Sequence, residues 1–444
     1  MSSLQLLLLG ATLGLFGLIV STEGMSNGRD DMKIEEVRKF TTVINPGCQV
    51  RFGVNCSALT NMTLLHIKSE GKTDCYHFLW SFIGAPTLLM ARTSLNSTLN
   101  VNWDEMLEEN VPTPSITFNP PALYSFGWSL VKIWIADDIN DVVQLNQINQ
   151  SMITGYQTKN FIWERFDNIS YQNSTHLSYT LTAKKYIHYF NESKQVFDLG
   201  PDGYFKFTIR MKSSNGYSDV LPYMLYSENS TQVDIAFNDV QLNLTETDYP
   251  GHPRIGFKYL VVQGAHLKDL KNERMRLERT KTLDDEHTPG VFETLSVRTP
   301  ILNKTDQSFI QWKPICYTGE VRDVIDSVDV WSYPLQNASS VNGDDNVQDS
   351  ILYSYYGADV DSMLLEAVNI SFGTQQDGFY NKTKHISWTY STGFGEPPQD
   401  FVSTLVFIII GIGLGIPALI IILSITYVLV KRLKQPRDDL LLGR

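Results

Sequence analysis

Cysteine is scarce in this sequence of 444 residues, and basic side chains are fewer than acidic ones. Four cysteines are too few to hold a chain of this length together, so disulfides cannot be its main scaffold. Acidic side chains outnumber basic ones by 48 to 36, which gives a formal net charge of −12. Because such a surface repels phosphate backbones, binding to nucleic acid is disfavoured. At 43% hydrophobic residues, the chain is also too apolar for a disordered polymer.

Recognisable catalytic and metal-binding motifs are missing as well. The sequence has no GxSxG turn, HExxH pair, Walker loop or CxxC spacing, so we expect no enzymatic activity, no cofactor and no metal site. The densest ionisable cluster, Asp284-Asp285-Glu286-His287, could hold a cation or place two carboxylates for acid–base chemistry. A solvated loop explains the cluster as well, and we favour the loop. His385 is predicted to be a solvated imidazole on the polar face of a strand.

Two long apolar runs define the topology. Residues 1–24 have the apolar stretch and small polar ending of a secretory signal peptide, although an uncleaved signal anchor is the alternative. Residues 401–430 carry no charge and are long enough to cross a bilayer as one helix. Basic residues follow this span, so the positive-inside rule places the tail, 431–444, in the cytoplasm. The prediction is a type I membrane protein with residues 25–400 on the lumenal or extracellular side.

Small residues interrupt the apolar run within the predicted span. Gly411 and Gly415 are four positions apart and share one side of a helix, where another helix can approach closely. A glycine that merely faces lipid is the alternative.

Acceptor sites for N-glycosylation are unusually frequent between the two ends. Thirteen Asn-x-Ser/Thr sequons occur where chance predicts about four, which indicates a heavily glycosylated ectodomain. The sequon asparagines are Asn55, Asn61, Asn96, Asn149, Asn168, Asn173, Asn191, Asn229, Asn243, Asn303, Asn337, Asn369 and Asn381.

The ectodomain has the periodicity of β-strands. Residues 204–212 alternate, with few exceptions, between apolar and polar side chains, and the same period recurs around 233–237, 368–372 and 386–390. The pattern slips at Asn238-Asp239, which suggests a bulge or tight turn. We therefore predict a mainly β fold of the antiparallel β-sandwich type, divided near residue 200 into domains 25–200 and 201–400.

Helical patterns in the ectodomain are weaker. Residues 137–149 place Ile139, Val142 and Val143 on one helical face and predict a helix. The charged segment 268–281 is either an exposed helix or a long loop.

The cysteines, Cys48, Cys56, Cys75 and Cys316, are even in number in a secretory chain, which favours two disulfides. Three pairings are possible. We favour Cys48 with Cys56 as a local link, which leaves Cys75 for Cys316.

The cytoplasmic tail contains a sorting motif. Asp438, Leu441 and Leu442 fit the DxxLL pattern, in which an adaptor binds a carboxylate at a basic spot and two leucines in apolar pockets. Exposed leucines at a chain terminus have no packing role, so sorting adaptors are predicted partners. An accidental leucine run is the alternative.

Several segments together resemble the glycosylated lysosomal membrane protein family. They extend from about residue 76 to the membrane span and are His77-Phe-Leu-Trp80, 97–103, 284–292, Gln311-Trp-Lys-Pro314 with Tyr317, Asn369-Ile-Ser-Phe-Gly373, Ser387-Trp388 and 393–398. The resemblance implies a lysosomal single-pass protein that acts as an accessory subunit. Its glycosylated ectodomain would cover a multispanning major-facilitator transporter of small peptides and protect it from lysosomal proteolysis.

The sequence departs from that family in two respects. Only a dileucine-type tail motif is evident where relatives have a tyrosine-based one, and the cysteine positions do not align. The sorting adaptor and the disulfides are therefore not transferred. Two other functions stay open: a membrane-anchored lysosomal hydrolase with an unrecognised acidic site, and a cell-surface adhesion receptor. In an acidic lumen, protonation of all eight histidines would help to bring the acidic ectodomain close to neutrality.

Overall fold

A computed structural model describes most of the region between the two ends of the chain. The described residues are 38–48, 63–108, 113–142, 144, 148–164, 168–173, 175–190, 193–242, 252–281, 290–303, 306–338, 347–377, 382–399 and 404–434.

Two large antiparallel sheets form the ectodomain. Sheet I has the strand order β1-β2-β3-β4-β7-β17-β24. Strand β8 pairs with the second half of β7, next to the part that pairs with β4, and β23 pairs with the outer edge of β24. Its strands are β1 (Lys39–Ile44), β2 (Leu64–Glu70), β3 (Cys75–Ser81), β4 (Thr87–Thr93), β7 (Tyr124–Asp137), β8 (Ile153–Gln157), β17 (Pro253–His266), β23 (Gln336–Asn337) and β24 (Met363–Phe372).

Sheet II lies against sheet I and has the order β11-β13-β16-β25-β20-β19-β18. Strands β9, β10 and β12 flank β11, and β21 pairs with β25. Its strands are β9 (Phe161–Trp163), β10 (Asn168–Asn173), β11 (His176–Phe190), β12 (Ser193–Asp198), β13 (Tyr204–Lys212), β16 (Ser230–Asn238), β18 (Arg276–Lys281), β19 (Glu293–Arg298), β20 (Ser308–Trp312), β21 (Ile315–Tyr317) and β25 (His385–Phe394).

Strand β22 (Ser327–Ser332) joins the sheets, because its first half pairs with β21 and its second half with β24. Two short ribbons lie outside the sheets: β5 (Thr98–Val101) with β6 (Ile116–Asn119), and β14 (Gly216–Tyr217) with β15 (Leu225–Tyr226). Helices that lie wholly within the described residues are α1 (Trp103–Leu107), α2 (Ile351–Tyr356) and α3 (Thr404–Lys434), and 3-10 turns cover Gln150–Met152, Thr158–Asn160 and Gly357–Ser362.

The main hydrophobic core is aromatic and lies between the two sheets. The ring of Trp128 on β7 meets that of Tyr390 on β25 edge-on, with 5.5 Å between centroids. Phe82 and Phe207 make a similar contact at 5.6 Å. Each fully buried aromatic side chain stabilises the fold by roughly 1.5–3 kcal/mol, so these contacts hold the sheets face to face as a sandwich.

A second core lies on the outer face of sheet I. Leu260 and Leu365 of the sheet pack there with Ile351 and Leu352 of α2 and with Trp103 of α1. Sheet I is therefore buried on both faces in this region, which explains why β3 is buried along its whole length rather than at alternate positions.

The predicted mainly β sandwich is confirmed. Strand β13 covers the predicted residues 204–212, and its burial alternates with the predicted period. The apolar positions around 368–372 and 386–390 lie in β24 and β25. The slip at Asn238-Asp239 marks the end of β16, where Asp239 has φ 39°.

The helix predicted at 137–149 was wrong, and the segment 268–281, left open as a helix or a loop, matches neither along its whole length. Among the described residues of 137–149, β7 ends at Asp137 and a turn follows. Asp138 accepts a hydrogen bond from the Val142 amide at 2.9 Å, and Asp141 has φ 50°, so local side-chain bonding replaces the helix. In 268–281, a turn with positive φ at Lys271 and Asn272 precedes strand β18, so this segment is neither a helix nor a loop throughout.

Strand pairing crosses the predicted domain boundary at residue 200. Strand β7 pairs with β17 in sheet I, and β11 pairs with β13 in sheet II. The main core accordingly contains residues from both 25–200 and 201–400. The division into two domains stays a prediction.

Candidate glycan-bearing surface and membrane anchor

Among the described sequon asparagines, four have exposed side chains. Asn96 and Asn303 lie in turns, Asn149 lies in the segment between β7 and β8, and Asn337 lies at the end of the edge strand β23. Edge and turn positions leave room for a bulky sugar without disturbing the sheet ladder, so these four can carry glycans on the folded ectodomain.

The other described sequons are in more constrained places. Asn168 and Asn173 begin and end strand β10. Asn369 is half-buried on β24, directly opposite Lys258. Asn229 is half-buried in the turn before β16, and its Oδ1 is buried without a hydrogen-bond partner among the described residues. The remaining five, Asn55, Asn61, Asn191, Asn243 and Asn381, lie outside the described residues.

The predicted membrane span is a helix. Helix α3 covers Thr404–Lys434, and its stretch Ile408–Lys434 is long and apolar enough to cross a bilayer. Lys431, Arg432 and Lys434 form its basic end. Gly411 and Gly415 lie on the exposed helix surface, and a Cβ added at either position would meet no atom within 4 Å. The predicted signal peptide, 1–24, and the tail motif Asp438, Leu441 and Leu442 lie outside the described residues.

The link between sandwich and span is short. After β25, the Gly395 amide donates a hydrogen bond to the Gln307 carbonyl at 2.8 Å. The Gln311 side-chain amide donates to the Pro398 carbonyl at 3.0 Å, so the chain still contacts sheet II at residue 398. Only six Cα steps separate Pro398 from Thr404, and they span at most about 22 Å when fully extended. The ectodomain is therefore held close to the start of the membrane helix.

The state of the cysteines contradicts one of the two predicted disulfides. Cys48 is disulfide-bonded, and Cys56, its predicted partner, lies outside the described residues. Cys75 and Cys316 are both free and buried, so the favoured link between them was wrong. Cys75 starts β3 in sheet I, whereas Cys316 belongs to the β21–β22 hairpin of sheet II. Burial raises the pKa of the Cys316 thiol to about 12, which keeps it protonated and unreactive.

His385 is buried rather than solvated. Its Nδ1 lies 2.8 Å from Oδ1 of Asn238, and burial lowers its pKa to about 4. The next positions on this strand face are covered by Arg322, from the loop between β21 and β22. Arg322 donates through Nε to Ser387 Oγ at 2.9 Å and through Nη1 to Thr389 Oγ1 at 2.8 Å. A polar strand face can thus be buried under a polar loop, which alternation alone does not reveal.

A pair of histidines elsewhere, buried His77 and half-buried His66, has no signature in the sequence. His66 Nε2 lies 2.9 Å from His77 Nδ1, and His77 Nε2 lies 3.0 Å from Thr93 Oγ1. Burial lowers the pKa of His66 to about 4 and that of His77 to about 3. With His385, three of the eight histidines stay neutral in a mildly acidic lumen. The expectation that all eight help to neutralise the ectodomain was therefore wrong.

One buried arginine forms ion pairs with the loops at one end of the sandwich. Arg254, at the start of β17, donates through Nε to Asp138 at 2.9 Å and through Nη1 to the Phe372 carbonyl at 3.0 Å. It also contacts Asp141, and its Nη2 lies 3.6 Å from Asp377. One buried guanidinium thus ties three segments together.

The described residues contain no group of three or more His, Cys, Asp or Glu side chains that could hold a metal ion. The acidic cluster Asp284-Asp285-Glu286-His287 lies outside them.

A glycan-bearing β-sandwich that is tethered closely to one C-terminal membrane helix defines a single-pass membrane glycoprotein. The profile of the glycosylated lysosomal membrane protein family matches residues 63–435. The chain belongs to this family of lysosomal membrane proteins, as its resemblance predicted.

Named relatives agree with this assignment along most of the chain. Glycosylated lysosomal membrane protein A of Xenopus laevis is 28% identical over 398 residues, which cover 88% of this chain and 89% of the relative. The Danio rerio protein of the family is 27% identical and covers 89% of each chain. The Homo sapiens protein is 22% identical and covers 81% of this chain and 82% of its own length. The family's description names no reaction.

Proposed function

We propose that this protein is a non-enzymatic accessory subunit that stabilises a multispanning major-facilitator transporter of small peptides in the lysosomal membrane. The family resemblance supplies the class of partner. Glycans on the ectodomain would deny proteases access to both chains, and the tail motif Asp438, Leu441 and Leu442 would bind sorting adaptors.

The observation that carries the proposal is the short tether. Pro398 still contacts sheet II, and Thr404 begins the membrane helix, so the sandwich stays within about 22 Å of the point where the helix starts. A domain on so short a link lies over whatever is beside the helix in the bilayer. It can cover the lumenal loops of a neighbouring membrane protein, whereas a domain on a long flexible stalk would spend little time there.

The membrane helix offers a second contact. Gly411 and Gly415 leave a gap between the side chains of one helix face, in which a transporter helix could pack closely. Gly413 lies two positions from each and therefore points to a different side of the helix. This difference in direction provides a matched control within one helix.

The first experiment measures the half-life of the transporter. We expect removal of this protein to shorten that half-life in lysosomes, with recovery when the wild-type chain is restored. An unchanged half-life would contradict the proposal. Affinity purification followed by membrane-protein mass spectrometry identifies the transporter whose decay is to be followed.

Substitutions in the helix refine the test. If the glycine face contacts the transporter, Gly411→Ile with Gly415→Ile should reduce co-purification, whereas Gly413→Ile should leave it near the wild-type amount. Equal effects of the two variants would remove the helix from the proposed interface. Activity profiling of the purified protein at acid pH, with Asp284 and Asp285 replaced, separately tests the hydrolase alternative.

A further inference from the structure

A depression of about 200 Å³ lies at the edge of the sandwich beside the exposed sequon residue Asn337. Three apolar side chains form part of its lining, Leu267, Met363 and Leu365. Arg274 and Asp361 are polar members of the same lining. The exposed lining is mixed, with polar and apolar surface in similar amounts, which suits a ligand such as a sugar that has both apolar ring faces and hydroxyl groups.

The backbone around the depression is fixed by hydrogen bonds between two segments. The Leu267 amide donates to the Ser362 carbonyl at 3.2 Å. His266 Nδ1 lies 2.7 Å from the Ser362 hydroxyl oxygen. His266 also pairs with Met363 across β17 and β24. Because Leu267 and Met363 are held by these contacts, the depression is formed before any ligand arrives, which lowers the entropic cost of binding.

The acceptor Asn337 is held at the same place by strand pairing. Asn337 on β23 lies directly opposite Glu366 on β24, and the Ala338 amide donates to the Leu365 carbonyl at 3.4 Å. Arg274 reaches the same spot, with its Nη1 3.7 Å from the Glu366 carboxylate. A sugar attached to Asn337 would begin beside the depression and beside a guanidinium.

We propose that the first sugars of an N-glycan on Asn337 lie in this depression and pack against the protein. The apolar ring face and N-acetyl group would contact Leu267 and Met363, and sugar hydroxyls would hydrogen-bond to Arg274 and Asp361. Covalent attachment supplies the high effective concentration that a shallow site needs. This inference rests on the glycosylated ectodomain of the proposed function, but not on the transporter.

The test follows release of individual glycans from the native, full-length glycoprotein in detergent. A peptide N-glycosidase is added, and site-resolved mass spectrometry records the rate at each asparagine. We expect release at Asn337 to be about tenfold slower than at Asn96 and Asn303, which corresponds to about 1.4 kcal/mol of protection. After denaturation the three rates should converge.

Substitutions at the depression provide the matched comparison. Asp361→Ala changes an exposed side chain and should speed release at Asn337 while leaving Asn96 unchanged. Loss of the sequon by Ser339→Ala should lower the melting temperature more than loss of the Asn303 sequon by Thr305→Ala. Equal native release rates at the three sites, or an unoccupied Asn337, would overturn the inference. Neither result would alter the transporter's half-life, so the two proposals fail separately.

Discussion

The imidazole ring of His66 stacks on that of His77 with 5.1 Å between ring centroids and 8° between ring planes. Their facing nitrogens are 2.9 Å apart, so one ring must donate a hydrogen bond and the other must accept it. The accepting ring must be neutral, so the bond is lost once both rings are protonated. The pair therefore links strands β2 and β3 in a way that depends on pH.

The first prediction is a loss of stability in acid. The folded pKa values of His66 and His77, about 4 and about 3, are below the ordinary value of about 6.5 in an unfolded chain. The unfolded chain binds protons first, so stability is full above pH 6.5 and falls as the pH drops toward the folded pKa. At pH 5 the expected loss is about 2 kcal/mol for each histidine.

Denaturant unfolding from pH 7.5 to 4.5 measures this loss. His77→Gln should flatten the acid limb, because it removes one of the titrating groups. His252→Gln is the control, since His252 is exposed and lies outside the pair. If both variants retain the wild-type pH dependence, the histidine pair does not set it.

The second prediction concerns the buried Arg254. Arg254→Met should destabilise the protein by about 3–5 kcal/mol, because it leaves Asp138 and its neighbouring carboxylates buried without their cation. Arg279→Met makes the same chemical change in an exposed pair with Glu293 and should cost less than about 1 kcal/mol. Thermal and urea unfolding of the two variants checks the contrast, and similar losses would show that burial does not decide it.

The third prediction separates backbone strain from steric overlap. Gly84 and Gly395 have φ of +70° and +83°, so an alanine at either position costs about 1–2 kcal/mol in strain. At Gly84 the added Cβ would also lie 2.2 Å from the Asp349 carbonyl oxygen, whereas it meets nothing within 4 Å at Gly395. Gly84→Ala should therefore lose a further 1–3 kcal/mol, roughly, in unfolding measurements. Equal losses would mean that the loop at Asp349 moves aside.

The fourth prediction is the thiol count. Cys75 and Cys316 should resist maleimide labelling in the native protein, since burial raises the pKa of Cys75 to about 11 and that of Cys316 to about 12. Two thiols should become reactive in denaturant without reductant, and intact-mass spectrometry counts them. A disulfide between the two would give none.

The fifth prediction concerns the tail. Leu441→Ala with Leu442→Ala should shift the protein from lysosomes to the cell surface, because an adaptor would lose both apolar contacts. Surface biotinylation and microscopy measure the shift. Leu433→Ala, near the end of the membrane helix, is a control that leaves the motif intact. Unchanged localisation of the double variant would assign sorting to another segment.

The sequence predicts strands well where one face of a strand is buried and the other is polar. Strand β13 is such a case, and its residues 204–212 were predicted with the correct bounds. The same reasoning fails at His385, because the polar face of β25 is itself buried under the loop that carries Arg322. The alternation of side chains along a strand indicates which face is apolar. It does not indicate which other segment of the chain covers the polar face.

Contacts between residues that are far apart in the sequence are the other feature that the sequence alone does not predict. The four cysteines allow three pairings, and only the structure shows that Cys75 and Cys316 are both free. The depression at Asn337 is likewise assembled from segments around residues 267, 337 and 363. No local pattern indicates that these segments meet. The membrane helix, by contrast, depends only on local composition and was predicted almost completely.

The position of β25 in the chain has a consequence for biosynthesis. This strand lies in the middle of sheet II, between β16 and β20, yet it is the last strand before the membrane helix. Synthesis proceeds from the N-terminus, so sheet II lacks its central strand until about 390 residues have been made. The sandwich can close only as the membrane segment itself emerges. Sequons that become half-buried in the folded protein, such as Asn369, thus enter the lumen before the chain has folded around them. Insertion of the helix into the bilayer coincides with completion of the fold.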